Sequence, residues 1–327
     1  MAKDPLNWGL LSTARINRAL IPALRSARRS RLTAAASREV KRAEAYARER
    51  NIPRAYGSYE ELLADPDVDV VYNSLPNHLH AEWSIKALRA GKHVLCEKPL
   101  ALSVKEADAM AAAAAESGRV LAEAFMYRHH VQTLRVQEIC AQGKLGKLRI
   151  IRGAFTFMLS RADDIRLNKE LGGGSIWDVG CYPISYARML AREEPVEAAG
   201  WQVLDQGGTD ATFAGQLRFP SGLIAQFDCG FVSPSRAYME IVGSEGVLYV
   251  PTPFKPGTRE TISLRRGDLT ETIVTEGAEL YSGEVADMEG ATLDGKATRV
   301  SLTDSRGNVA AIVALIESAE RGTPVAM

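Results

Sequence analysis

Up to about residue 125 the chain alternates short apolar runs with longer segments of helical periodicity. No other feature limits its folding so tightly. The runs WGLL (8–11), RLTAAAS (31–37), VDVVYNSL (68–75), HVLCE (93–97) and RVLAEAF (119–125) are apolar through most of their length, with no strict polar alternation. Strands of that kind are buried on both faces, as in parallel sheets covered by helices. Between them, residues 14–28, 40–50, 79–90 and 104–116 carry helical spacing. Gly91 and Gly118 follow two of these segments as cap glycines do. Strand, helix, strand in this order predicts an α/β unit with a doubly wound parallel sheet.

The period changes after about residue 146. GKLRIIRGAFTFML, ATFAGQLRFPSGLIAQFDCGF and AYMEIVGSEGVLYVPT alternate every second residue, and PSG (220–222) and GSEG (243–246) supply hairpin turns. Phe213, Leu217, Phe219, Leu223, Ala225, Phe227, Cys229 and Phe231 are expected on one face, with Thr212, Gln216, Arg218, Gln226 and Asp228 on the other. That pattern predicts a large, mostly antiparallel open sheet within a C-terminal α+β domain. The expected domains are therefore 1–125 and 126–327, with an apolar-periodic helix at 304–320 packing back on the first domain. The polar face of the second sheet is either solvated or pairs with another subunit.

Charge narrows the partners. Lys+Arg and Asp+Glu are both 40 in 327 residues, so no overall field draws the chain to nucleic acid or an anionic membrane. No apolar run approaches the roughly 20 residues of a membrane span. The start lacks a signal-peptide core, and the Arg-rich stretch from Arg15 to Arg31 reads as a solvated helix face. Cys96, Cys140, Cys181 and Cys229 are widely spaced, which suits reduced thiols and a cytoplasmic location.

The first strand-to-helix turn, WGLLSTARINRAL, stands where a dinucleotide-binding loop belongs. Laid on it, G-x-G-x-x-G falls at Ser12, Ala14 and Asn17, and none is glycine. The physical demands of the motif are small size and exposed N–H groups at a helix start, and these can still be met. Ser12, Thr13, Ala14, Arg15 and Ile16 are the candidate phosphate contacts, against the reading of a plain turn. After the second strand, Ser37 and Arg38 replace the acidic residue that normally accepts from a ribose hydroxyl. A hydroxyl followed by Arg suits a 2′-phosphate, so NADP(H) is favoured and NAD(H) is the alternative.

Three further segments converge on chemistry: LPNHLH (75–80), GKHVLCEKPLA (91–101) and GGGSIWDVGCYPI (172–184). The first two follow strands and reach the carboxyl edge of the sheet, where open α/β sheets bind ligands. With these residues in order, the whole chain resembles the glucose–fructose oxidoreductase, inositol dehydrogenase and MocA-type oxidoreductases. Glu97–Lys98–Pro99 matches the family's EKP motif, and Asp178, Gly180 and Tyr182 match its Asp-x-Gly-x-His/Tyr element. Tyr in that place, with EAFMYRHH (123–130) upstream, is most similar to the aldose (xylose) and dihydrodiol dehydrogenase branch. The resemblance implies a Rossmann-type first domain, cofactor contacts from Leu75, Asn77, His80, Glu97 and Lys98, a sugar substrate, and a homodimer or homotetramer through the second-domain sheet. The glycine-poor loop departs from the family pattern.

The expected chemistry is hydride transfer between nicotinamide and a sugar or related cyclic polyol or keto-sugar. A phenol has a pKa of about 10, so a tyrosine working near neutrality needs roughly 3–4 kcal/mol in favour of phenolate. A nearby ammonium supplies this. Tyr182 is assigned as general acid/base, Lys98 as its partner, and Asp178, four residues earlier, as an acceptor for a sugar hydroxyl or for Lys98. Arg128 and His129 are further substrate contacts. The competing readings are a packing tyrosine and an aspartate that merely charges a helix start. Pro183 must loosen or kink that helix, and the triple glycine is either a mobile substrate-side loop or a linker. His78, His80, His129 and His130 lack metal-ligand spacing, so no metal is expected. The rival functions are an NAD-dependent glycoside-cleaving enzyme and an inactive nucleotide-binding or structural protein. No Tyr-x-x-x-Lys occurs, which excludes the short-chain dehydrogenase pattern.

Overall fold

The computed structural model describes residues 4–161 and 163–327. They form two compact units: the chain up to Met126 with Tyr281–Arg306, and Tyr127–Leu280 with Gly307–Met327.

The first unit runs β1 (Leu6–Leu10), α1 (Asn17–Ser26), β2 (Ser30–Ala36), α2 (Val40–Glu49), β3 (Arg54–Tyr56), α3 (Tyr59–Ala64), β4 (Val70–Asn73), α4 (His80–Arg89), β5 (His93–Glu97), α5 (Val104–Ser117) and β6 (Leu121–Ala124). The six strands lie in the order β3-β2-β1-β4-β5-β6, and every pair is parallel. Successive residues serve opposite faces. Leu6, Trp8, Leu10, Val70, Tyr72 and Leu95 belong to one core, whereas Leu11, Val71, Val94 and Cys96 belong to the other. Two buried faces explain why these strands read as continuous apolar runs. The order in which strands are added reverses between β1 and β4, which makes their carboxyl ends the topological switch point where such sheets take ligands. Two elements escape the sequence pattern: β3 is only three residues, RAY, and α3 only six. Helix α1 starts at Asn17 rather than residue 14.

The second unit continues with α6 (Val131–Ala141), β7 (Leu148–Met158), a π-helical turn (Ile176–Gly180), α7 (Cys181–Ala191), β8 (Glu197–Leu204), β9 (Asp210–Arg218), β10 (Ile224–Gly230), β11 (Val232–Gly243), β12 (Val247–Val250), β13 (Arg259–Arg266) and β14 (Leu269–Glu276). Its strands form a nine-stranded sheet in the order β14-β13-β12-β11-β7-β10-β9-β8-β15, antiparallel except for β10 against β7. The turns at 220–222 and 243–246 are hairpin connections. The alternating face from Phe213 to Phe231 is buried as the period-2 pattern requires. Helix α7 lies close on this face. A Cβ on Gly153 of β7 would stand 3.2 Å from Pro183 and 2.4 Å from the Met239 sulfur.

Helix α8 (Ser282–Asp294) then rejoins the first unit and sets Val285 and Met288 in the core beside Trp8 and Tyr72. The last elements are α9 (Leu302–Arg321) and β15 (Val325–Ala326). The C-terminal helix does not return to the first unit as a whole. Its first turn does, with Arg306 paired to Asp108 of α5. From Gly307 onward it belongs to the second unit, where Leu315 approaches Gly200 and Gly215. No described helix is long and apolar enough to cross a membrane.

Candidate active site

The turn after β1 is held by a closed set of hydrogen bonds at the switch point. The Ser12 hydroxyl meets the Ser74 hydroxyl at 2.8 Å and accepts from the Ala14 N–H at 3.0 Å. Ser74 Oγ donates to Asn17 Oδ1 at 2.7 Å, and Asn17 Nδ2 donates to the Ser12 carbonyl at 2.8 Å. Asn17 is fully buried. It fills the third-glycine position with a carboxamide that ties α1 to both strand ends. The Ser12 hydroxyl is thereby engaged inside the loop. Its neighbours remain available. Among the described residues, the N–H groups of Thr13, Arg15 and Ile16 take no partner from the chain, so they form an anion-receiving helix start.

The end of β2 adds charge. Ser37 is buried and its N–H donates to the Tyr56 carbonyl, while Arg38 and Arg42 are exposed. Arg42 Nε donates to Thr13 Oγ1 at 3.0 Å, which brings a second guanidinium to the loop. This contact joins residues 29 apart, and only the fold reveals it.

Beyond β4 and β5 the chain is cross-braced. His80 is fully buried, with Nε2 at 2.8 Å from the Leu75 carbonyl and Nδ1 at 2.8 Å from that of Pro99. Burial lowers its pKa against the pull of these two bonds. His80 thus braces the two loops against each other. Leu75 N–H donates to Asn73 Oδ1, and Asn77 opens a short 3₁₀ turn, half-buried. Glu97 accepts from the Tyr72 hydroxyl, and burial, then the Glu97 charge, pushes that phenol well above its ordinary range. Lys98 is half-buried at the carboxyl end of β5 and enters a cis peptide bond with Pro99.

In the second unit, Asp178 lies in the π-helical turn and Tyr182 in the first turn of α7. A π turn is where the unbondable nitrogen of Pro183 and the close approach to β7 are accommodated. Tyr182 is 3% exposed and packs against Phe155 at 5.3 Å, Phe254 at 5.5 Å and Tyr127 at 5.6 Å between ring centroids. Asp178 Oδ2 receives Arg166 Nε at 2.6 Å, and Arg166 also meets Asp164 at 3.1 Å. Burial opposes the Arg166 charge, but Asp178 and Asp164 more than offset it and raise its pKa. Sequence reading missed Arg166; the charged run ADDIR ahead of the triple glycine was its signal. Arg128 is buried and donates to Ser185 of α7 at 2.9 Å, so it braces the helix, while His129 is half-buried. The triple glycine is not a loose linker: Gly173 and Gly174 donate to the carbonyls of Asn168 and Arg166, each at 2.9 Å. No group of His, Cys, Asp and Glu among the described residues could hold a metal ion.

A doubly wound nucleotide-binding unit and an open-sheet unit that carries a helix-borne Asp and Tyr define a two-domain oxidoreductase. The chain belongs to the GFO/IDH/MocA oxidoreductase family: the NAD-binding Rossmann-fold domain matches residues 6–125, and a GFO/IDH/MocA C-terminal domain matches residues 133–249. It is 38% identical to a D-xylose 1-dehydrogenase (NADP(+)) of Haloferax volcanii, over 97% of this chain and 98% of that one. Its fold matches the aldose–aldose oxidoreductase of Caulobacter crescentus with a TM-score of 0.92 at 27% identity, over 98% and 99% of the two chains. It matches KijD10, a 3-ketoreductase of Actinomadura kijaniata solved with NADP and TDP-benzene, with a TM-score of 0.91 at 30% identity, over 96% and 98%.

Proposed function

We propose that the protein is an NADP(H)-preferring oxidoreductase acting on a sugar or a related cyclic polyol or keto-sugar. The observation that carries the cofactor reading is the helix start at residues 13–16, with open N–H groups and with Arg42 laid on Thr13. A pyrophosphate fits such a cradle. Arg38 and Arg42 beside it suit a 2′-phosphate, which guanidinium binds bidentately. The sugar reading is supported by the relatives, whose names include a xylose dehydrogenase, an aldose–aldose oxidoreductase and a 3-ketoreductase.

When bound, the nicotinamide supplies a hydride acceptor or donor. The chain's own residues manage the proton and the position of the substrate. Tyr182 takes the hydroxyl proton in oxidation and returns it in reduction, in surroundings of aromatic rings that exclude water. Lys98 supplies the cation that a phenol needs to ionise near neutrality. Asp178, oriented by Arg166, accepts from a substrate hydroxyl, and His129 is a further substrate contact. The outer face of the second sheet, which exposes Trp201, Val203 and Leu204, supports self-association.

Titration with NADPH and NADH, followed by nicotinamide fluorescence, tests the cofactor reading. NADPH is expected to bind more tightly than NADH, and Arg38→Ala to weaken NADPH by about 10–100-fold, the loss of a charge-assisted bond of roughly 1.5–3 kcal/mol. A panel of aldoses, inositols and keto-sugars, monitored at the nicotinamide absorbance, then tests the substrate class. Tyr182→Phe is expected to lower kcat by about 10²–10⁴-fold and leave NADPH affinity unchanged. Absence of binding by either nucleotide would sink the reading.

A further inference from the structure

The segment that carries Asp178 and Tyr182 is not fixed by its own helix. Its first turn is π-helical, and Pro183 cannot donate to the carbonyl of Val179. A helix turns about 100° per residue, so a slip of one position would point both side chains elsewhere. Something outside the helix must set its register.

We infer that Asp210, at the start of β9, is a positioning residue for the reaction, and that its buried carboxylate anchors the turn that aims Asp178 and Tyr182. This rests on the roles proposed for those two residues. Asp210 is 7% exposed. Its Oδ2 accepts from the Ser175 hydroxyl at 2.5 Å and from the Ile176 N–H at 2.8 Å. Ser175 is itself fully buried. The carboxylate thus satisfies an N–H that every helix start leaves orphaned, and it puts negative charge where the helix dipole favours it.

The chain before the helix is shaped around this group. Gly174 has φ +120°, and a Cβ there would lie 2.2 Å from Asp210 Oδ1. The third glycine of the triple is therefore required by the anchor as well as by the backbone. One turn further on, Arg166 Nε holds Asp178, and the Arg166 carbonyl accepts from Gly174. Asp210 holds the π turn at its start and Arg166 holds it at its middle residue, four positions before Tyr182.

The test uses the full-length protein with Asp210→Asn and, as a milder second variant, Ser175→Ala. Amide exchange, NADPH affinity, and kcat and KM on the best substrate of the panel are measured for each. Asp210→Asn is expected to raise exchange at residues 176–182 at least tenfold, to lower kcat at least tenfold, and to leave KM and NADPH affinity within threefold. Ser175→Ala is expected to shift exchange and kcat in the same direction by a smaller factor. Unchanged exchange and unchanged kcat in Asp210→Asn would overturn the inference. So would a kcat loss that merely tracks global unfolding. If Asp210→Asn does not fold, Ser175→Ala decides by the same criteria. If the wild type turns over no sugar, the functional reading fails by itself. The exchange arm then still decides the anchor: deprotection confined to 176–182 supports it, and its absence overturns it.

Discussion

Asn17 stands where the dinucleotide pattern has its third glycine, and its carboxamide is buried. The carboxamide bonds to the Ser12 carbonyl and to the Ser74 hydroxyl, so the contacts that normally let a helix and strand close together are here polar. Restoring the consensus with Asn17→Gly would take the side-chain donor from the buried Ser12 carbonyl and leave the Ser74 hydroxyl only its Ser12 partner. It is expected to cost roughly 1–3 kcal/mol and to weaken NADPH binding rather than improve it; thermal unfolding and a nucleotide titration would check both. Asp210 is the other informative residue. Burial, against the bonds from Ser175 and Ile176, holds its carboxyl at about 6, above the unfolded value of about 3.9. The group is therefore a carboxylate at neutral pH, but ionising it costs more in the folded chain than in the unfolded one. The protonated group's contribution to stability is fully present below about pH 4 and is lost as pH rises through 6, a change of about 3 kcal/mol. The nearby Cys229 thiol is pushed well above its ordinary range by burial and stays protonated throughout. In denaturant titrations at pH 4 and pH 7, the stability gap between wild type and Asp210→Asn should move by about 2 kcal/mol in favour of the wild type at the lower pH.

At the scale of elements, α8 is the clearest case of tertiary packing deciding what local pattern does not. Its sequence, SGEVADMEGATLD, offers Val285 and Met288 as a narrow apolar stripe among acidic residues and glycines. Those two side chains complete the core on one face of the first sheet, and Ser30 Oγ and Arg29 bind Glu289 and Asp294 at its edge. Met288→Ala is expected to destabilise the first unit by about 2–5 kcal/mol. A lower unfolding midpoint, with nucleotide protection of the first unit retained, would be the signature. A change below about 1 kcal/mol would mean that α8 is only loosely docked. The long elements were legible. Helices α2, α4 and α5 and strands β5, β9 and β10 lie within a residue or two of the reading, because their periodicity and cap glycines are strong. β3 and α3 were not, since three and six residues give too few repeats to establish a period.

On the scale of the whole molecule, the second sheet leaves one face with a mixed surface. Trp201 is 60% and Val203 64% exposed on β8. Tyr238 and Tyr249 stack across β11 and β12, with Arg152–Glu240 and Arg236–Asp228 ion pairs between them. Aromatic and aliphatic groups set among paired charges are the composition of an interface core and rim. If this face joins copies of the chain, light scattering should report an oligomer that Trp201→Asp shifts toward monomer, with kcat per chain falling by less than threefold. A wild-type monomer at micromolar concentration would refute the interface. By itself, the sequence determined the α/β alternation, the change of period near residue 146, the buried faces of β9 and β10, and the segments that bear Lys98, Asp178 and Tyr182. All of these rest on spacing along the chain. Only the tertiary structure decided that Ser12 and His80 brace neighbouring loops, that Arg42 reaches Thr13, that Arg166 holds Asp178, and that Asp210 caps the turn before Tyr182. These contacts join residues distant in sequence or turn a local residue inward. No periodicity records them, because what selects the partner is the proximity that strand order and burial create.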